Sequence, residues 1–293
     1  MKIEDVVHKA YELSQTPDIL LALEHELSRV LKEVAEQKLP QIESSIRRGF
    51  DKKDLFPFWS HYAPKQRGRN PIGDNIPSGD LGEKVVGLAI LSGFLENLGS
   101  NSFLSPIGFP FGGDYRWITA IKGNPFVLHL DIKATGPRDN PNELVVPATQ
   151  VTGYPDELTL EKGEFISVPL YVGAREPLHI IRPALSPIVP FKEKFIPQLT
   201  AFIKFVYRQE SGAQLLDHLK IAIVPNGILL LSPSPYYKKY LQSTKKRKTP
   251  FNKGKDDEGR RSVAREGVRF RILLPWLSSL DREGWRVTTL SAQ

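Results

Sequence analysis

Apolar residues recur at helical spacing through the first part of the chain. Ile3, Val6, Val7 and Ala10 form one stripe; Leu23, Leu27, Val30, Leu31 and Val34 form another beyond Thr16-Pro17-Asp18. That period, with charged residues on the remaining positions, predicts two helices within residues 1–47. Such helices either cover a core or contribute to a subunit interface. From residue 54 to 79 the period disappears: Phe56-Pro57-Phe58-Trp59 leads into Pro64, Gly68, Pro71, Gly73, Pro77 and Gly79, with Lys65, Arg67 and Arg69 among them. This density of Pro and Gly predicts a long loop, either a binding loop or a packed Ω-loop. The helical period returns with Leu81, Val85, Leu88, Ala89, Ile90 and Leu91. Asp80 and Glu83 have the spacing of a capping box at the start of this third helix, and Gly99 would end it.

The centre of the chain reads as strands. Residues 115–121 form one candidate, Asn124-Pro125 marks a turn, and residues 126–133 give a strong strand signal. Residues 165–172, 201–207 and 268–274 are further candidates. Residues 219–231 read as two apolar strands joined in a hairpin at Pro225-Asn226-Gly227. Helices followed by mixed strands predict an α/β or α+β architecture, a mixed β-sheet flanked by helices. No internal repeat and no linker divides the chain, so residues 1–293 are expected to form a single domain, with N-terminal helices over 1–50.

Composition narrows the chemistry. Cysteine is absent, which excludes disulfides, thiolate nucleophiles and cysteine-ligated metal centres. No apolar run reaches membrane-spanning length and the first residues lack a secretory core, so a cytoplasmic protein without membrane association is expected. The formal charge is +7, and eleven basic residues against four acidic ones between Lys245 and Arg271 account for all of it. The cluster Lys245-Lys246-Arg247-Lys248 within that segment fits a nuclear signal, a phosphate-contacting loop or a solvated turn.

The most informative grouping is Asp114 followed by Asp131-Ile132-Lys133. On a strand, Asp131 and Lys133 share a face while Ile132 points to the other side. A hairpin-like return would bring Asp114 beside Asp131. Two carboxylates placed in this way can hold Mg²⁺, and a neighbouring lysine can stabilise negative charge on a phosphoryl group or orient water. Asp-x-Lys at a strand end also occurs as an ordinary surface ion pair. Glu83 is a candidate third acid. His129 shares the strand face of Asp131 and is read as a supporting or packing residue.

Ordered blocks along the chain carry a resemblance. They are Phe56-Pro57-Phe58-Trp59, Gly73-Asp74-x-Ile76-Pro77, Gly82-Glu83-Lys84-x-Val86-Gly87, Asp131-Ile132-Lys133-x-x-Gly136-Pro137-Arg138-Asp139, Val224-Pro225-Asn226-Gly227 and Gly254-Lys255-Asp256-Asp257. Together they resemble the BglI family of type II restriction endonucleases, within the PD-(D/E)XK nuclease superfamily. The resemblance implies a restriction-endonuclease-like core of the EcoRV-like branch. It also implies Mg²⁺-dependent hydrolysis of double-stranded DNA at an interrupted, GC-containing palindrome, leaving 3′ overhangs. Matched by motif, Asp114, Asp131 and Lys133 are catalytic, the two aspartates hold the metal, and Glu83 is an auxiliary acid. Gly113 stands where the superfamily usually has proline.

The family further implies base-reading residues at Asp139, Lys255, Asp257, Arg269 and Arg271. Their donors and acceptors suit G·C pairs. Lys245, Lys246, Arg247 and Lys248 then fit phosphate contact or solvation better than base reading. A homodimer on palindromic DNA and a companion DNA methyltransferase are the expected partners. The rival readings are a structure-selective or repair nuclease, and a non-catalytic DNA-binding protein with a nuclease-like fold.

Overall fold

The computed structural model describes residues 3–49, 78–97, 105–106, 115–136, 140–147, 150, 152–154, 168–171, 177–181, 183, 185–210, 213–230, 244–246, 269–273 and 287–291. Three helices, α1 (Ile3–Gln15), α2 (Pro17–Gly49) and α3 (Ser78–Asn97), fall where the periodicity predicts. Pro17 occupies the first position of α2, where a missing N–H costs no helical hydrogen bond. Asp80 lies inside α3 rather than at its cap, because the helix already includes Ser78. Gly99 lies outside the described residues, as does most of the predicted loop over residues 54–79.

The strands in chain order are β1 (Ser105–Pro106), β2 (Tyr115–Ile121), β3 (Asn124–Thr135), β4 (Glu143–Pro147), β5 (Val168–Tyr171), β6 (Pro177–Ile181), β7 (Ile188–Phe191), β8 (Lys194–Glu210), β9 (Ala213–Val224), β10 (Thr244–Lys246), β11 (Arg269–Leu273) and β12 (Val287–Ser291). The main sheet runs β1-β2-β3-β8-β9-β12, with β7 paired to the start of β8. Only β3 and β8 pair in parallel within it, so the sheet is mixed, as expected. The chain between those two parallel strands contributes to two smaller sheets, β10-β11-β4 and β5-β6.

Two turns differ from the sequence expectation. The β2–β3 hairpin turns at Lys122-Gly123, with φ of 51° and 79°, and not at Asn124-Pro125, which already belong to β3. Positive φ at both central residues gives the twist that a two-residue hairpin needs. At Pro225-Asn226-Gly227 there is no hairpin: β9 ends at Val224 and a 3₁₀ helix follows over Gly227–Leu230. Neither Asn226 nor Gly227 has positive φ. Instead the Asn226 side chain accepts the N–H of Ile228 (2.9 Å), an Asx turn that starts the helix. The glycine is needed for space, since a Cβ on Gly227 would stand 2.5 Å from the carbonyl carbon of Gly153.

Alternation gives the main sheet two unlike faces. One carries Trp117, Leu128, Leu130, Ile132, Leu199, Ala201, Ile203, Phe205, Ile221 and Ile223. Against it pack Leu23, Leu27, Leu31, Val34, Ile42 and Ile46 of α2 and Val86, Ala89, Ile90 and Phe94 of α3. The two helices approach closely at Gly93, where a Cβ would meet Val34 at 2.6 Å. The other face carries Arg116, His129, Asp131, Lys133, Thr200 and Lys204 and, beside them, a small apolar cluster of Ile118, Val127 and Ile196; this mixed, more polar face holds the candidate chemistry.

Asn226 ties these layers together. It is buried, and its side-chain amide donates to the carbonyls of Pro187 (2.9 Å) and Gln198 (2.7 Å). Its backbone N–H donates to Glu24 of α2 (2.8 Å). Asn226→Ala removes both donors and the Asx acceptor while leaving their partners buried, and should cost roughly 2–4 kcal/mol in urea denaturation. A loss below about 1 kcal/mol would show that this junction is not a stability determinant.

Candidate active site

Strand β3 places His129, Asp131 and Lys133 on the polar face of the sheet, where register sets them beside Thr200, Phe202 and Lys204 of β8. Asp131 is only 1% exposed, an environment that a carboxylate occupies only with partners. It has two. Lys133 Nζ forms an ion pair with Oδ1, and Gln150 Nε2 donates to Oδ2. Lys133 is itself 28% exposed, so its ammonium reaches both the carboxylate and the open side of the sheet. A buried acid and a half-buried lysine on one strand face can bind a phosphate-bearing substrate and stabilise charge developing on it.

The surrounding groups extend this polar surface. Arg116, opposite His129 on β2, donates through Nε (3.1 Å) and Nη2 (2.5 Å) to Gln198 Oε1. Lys204 is almost fully buried and donates to the carbonyl of Asn140 (2.9 Å). Lys220 of β9 donates to Asn142 Oδ1 (2.6 Å), and burial pulls its ammonium below the usual lysine range. Asn142 N–H in turn donates to Asn140 Oδ1 (2.9 Å). Two lysines of the sheet therefore anchor the segment that follows β3.

That segment continues into β4, which pairs along its whole length with β11. In the same small sheet Lys245 lies opposite Arg271 and Lys246 opposite Phe270. The chain after β3 and the two described ends of the basic segment, β10 and β11, thus meet in one three-stranded sheet. Of the candidate residues, Arg269 and Arg271 occupy alternate positions of β11, and Lys245 and Lys246 lie on β10. Glu83 lies on α3, which packs on the apolar side of the sheet. Asp114, Asp139, Arg247, Lys248, Lys255 and Asp257 lie outside the described residues. The β2–β3 ladder is described as far as the pair Tyr115–Leu130, one residue before Asp131.

Sequence reasoning missed Gln150, Arg116, Lys204 and Lys220. The two lysines leave a trace, each being a single charge inside an apolar strand run, Phe202-Ile203-Lys204-Phe205 and Leu219-Lys220-Ile221. Gln150 leaves none, because nothing in its neighbourhood marks it.

Residues 6–290 match the family described as Restriction endonuclease BglI. The chain belongs to the BglI restriction endonuclease family. It is 30% identical over 294 residues to the type II restriction enzyme BglI of Bacillus subtilis, covering 95% of this chain and 92% of that enzyme. It is also similar to the crystal structure of the restriction endonuclease BglI bound to its DNA recognition sequence (TM-score 0.76, 27% identity, 99% and 98% of the two chains). The tetrameric restriction endonuclease SfiI bound to cognate DNA shares the fold, with a TM-score of 0.60 and 14% identity over 94% and 85% of the two chains. The mixed sheet flanked by helices is thus the BglI-family fold, and Asp131-Ile132-Lys133 lies on its third strand. Among the described residues no helix is long and apolar enough to cross a membrane.

His129 adds a pH signature to this BglI-family site. Burial, then the charges of Arg116 and Lys133, push its imidazole down to about 4 from the ordinary 6.5. Between those values the unfolded chain binds the proton and the native chain does not, so stability falls as the pH drops from 6.5 to 4. The loss should approach roughly 3 kcal/mol. In EDTA, urea denaturation at several pH values should show a steeper loss over this window for the wild type than for His129→Gln. Equal slopes would mean that His129 titrates normally.

Proposed function

We propose that the protein is a type II site-specific endonuclease that hydrolyses one phosphodiester bond in each strand of double-stranded DNA. The observation that carries this reading is the buried Asp131 carboxylate paired with Lys133 on the polar face of a BglI-family sheet. The related BglI structure is bound to its DNA recognition sequence, which supports the same class of substrate here. The substrate is an interrupted, GC-containing palindrome and the product carries 3′ overhangs. The working form is a homodimer, one site per strand, in the cytoplasm beside a companion DNA methyltransferase.

Mg²⁺ is the cofactor this donor set fits. Among the described residues no three acidic or imidazole groups cluster as a metal site, but Asp131 offers a buried oxygen donor beside a cation suited to phosphate. Asp131 and Asp114 would hold the ion; Glu83, the auxiliary acid of the family motif, stands on the helix that covers the opposite face of the sheet. When bound, it supplies charge neutralisation and an acidified water. The chain itself orients the Asp131 carboxylate through Lys133 and Gln150. Lys133 holds its ammonium where the attacked phosphate gains negative charge.

The chemistry is tested with Asp131→Ala and Lys133→Ala. Single-turnover cleavage should fall by at least about three orders of magnitude, the size expected when an acid or charge-stabilising group is lost. Gel-shift affinity with Ca²⁺ should stay within a few-fold of wild type for Lys133→Ala. Near-normal cleavage by either folded variant would remove the assignment. Discrete plasmid fragments from the wild type would support restriction, whereas a smear or branch-limited cutting would point to a repair nuclease.

Recognition divides between positioning and reading. Lys245, Lys246, Arg247 and Lys248 contact phosphates, while Asp139, Lys255, Asp257, Arg269 and Arg271 read bases. Neutralising the Lys245–Lys248 cluster should weaken cognate and random duplexes alike and flatten the salt dependence. Asp257→Ala should instead cost roughly 1–3 kcal/mol of discrimination at one symmetric pair of positions. An unchanged specificity ratio in the Asp257 variant would take that residue out of the reading set.

A further inference from the structure

We infer that Gln150 is a positioning residue for the Asp131 carboxylate, an inference that rests on the endonuclease reading of this site. Gln150 is 2% exposed and donates its side-chain N–H to Asp131 Oδ2, while Lys133 takes Oδ1. The two oxygens of the carboxylate are thus held by different partners, a neutral donor from one element and a cation from its own strand. A carboxylate held at both oxygens cannot rotate about its terminal bond without losing a contact. The direction in which it offers its remaining lone pairs is therefore set before any ligand arrives.

The backbone around Gln150 is built to hold it there. Before it, β4 is paired with β11 from Glu143 to Pro147. After it, Thr152 forms a parallel bridge with Leu185, and Gly153 N–H donates to the Leu185 carbonyl (3.1 Å). Thr152 Oγ1 accepts the N–H of Gly227 (2.8 Å), and Gly227 packs directly on Gly153. A glutamine that served packing alone would not require a fixed amide orientation, and it would not be aimed at a buried acid. Its position after β4 also connects the small sheet that carries Arg269 and Arg271 to the carboxylate through a short stretch of chain.

The test compares Gln150→Met, close in volume but without a donor, with Gln150→Glu, which brings a second carboxylate against Asp131. Single-turnover cleavage of a duplex containing the wild-type cleavage site should fall by about 10–100-fold for Met and further for Glu. Affinity for the same duplex with Ca²⁺ should stay within threefold for Met, separating positioning from folding or DNA binding. Mn²⁺ binding to the protein–DNA complex, followed by electron paramagnetic resonance, should weaken several-fold for Met. A Met variant with cleavage and Mn²⁺ binding both within twofold of wild type would overturn the inference. So would equal loss of rate and DNA affinity, which a merely structural role produces. If the wild type cuts no DNA, the endonuclease reading fails. The Gln150 inference is then decided by Mn²⁺ binding to the free protein, where no change in the Met variant overturns it.

Discussion

A single carboxylate buried in the middle of a sheet constrains the whole molecule. Moving an unpartnered carboxylate out of water costs on the order of several kcal/mol, so Asp131 requires partners, and of Lys133 and Gln150 its own strand provides only the first. Lys133 comes from the same strand through two-residue alternation. Gln150 comes from beyond β4, nineteen positions later. The strand must also be central, since neighbours on both sides are needed to exclude water, and β2 and β8 flank it.

The two faces of the sheet accordingly divide stability from chemistry. Leu128, Leu130 and Ile132 of β3 point into the layer formed by α2 and α3, where burial of large side chains supplies most of the favourable free energy. His129, Asp131 and Lys133 alternate with them and face a surface rich in charge. On that surface His129 Nδ1, Gln198 Nε2 and Thr200 Oγ1 are buried with no hydrogen-bond partner among the described residues. Such a concentration of polar groups lowers stability and is tolerated where function requires it. Lys204 and Lys220 belong to the same surface and fasten Asn140 and Asn142.

The chain around β3 also links the main sheet to the small sheet β10-β11-β4. The chain leaves β3, is fastened by two lysines, and enters β4, which pairs with β11. A parallel β3–β8 pair makes this possible, because parallel neighbours require a long crossover. In many sheets a helix fills that role. Here the crossover contributes strands to two small sheets, and in one of them it meets residues from the far end of the chain.

The sequence alone determined the helices of the first fifty residues, α3, β2, β3 and β11, since period and turn residues report local backbone preference. It also determined that Asp131 and Lys133 share a face, and the ordered motifs pointed to the BglI family. Only tertiary structure decided the rest. Asn226-Gly227 has the composition of a hairpin turn, yet contacts with Glu24, Pro187 and Gln198 direct it into a 3₁₀ helix. The turn one residue before Asn124 depended on Lys122 accepting positive φ, which composition does not signal. Gln150, Lys204 and Lys220 became part of the site through partners 19, 64 and 78 positions away. Side-chain periodicity records which way a residue points from its own backbone; it holds no information on what distant segment arrives to meet it.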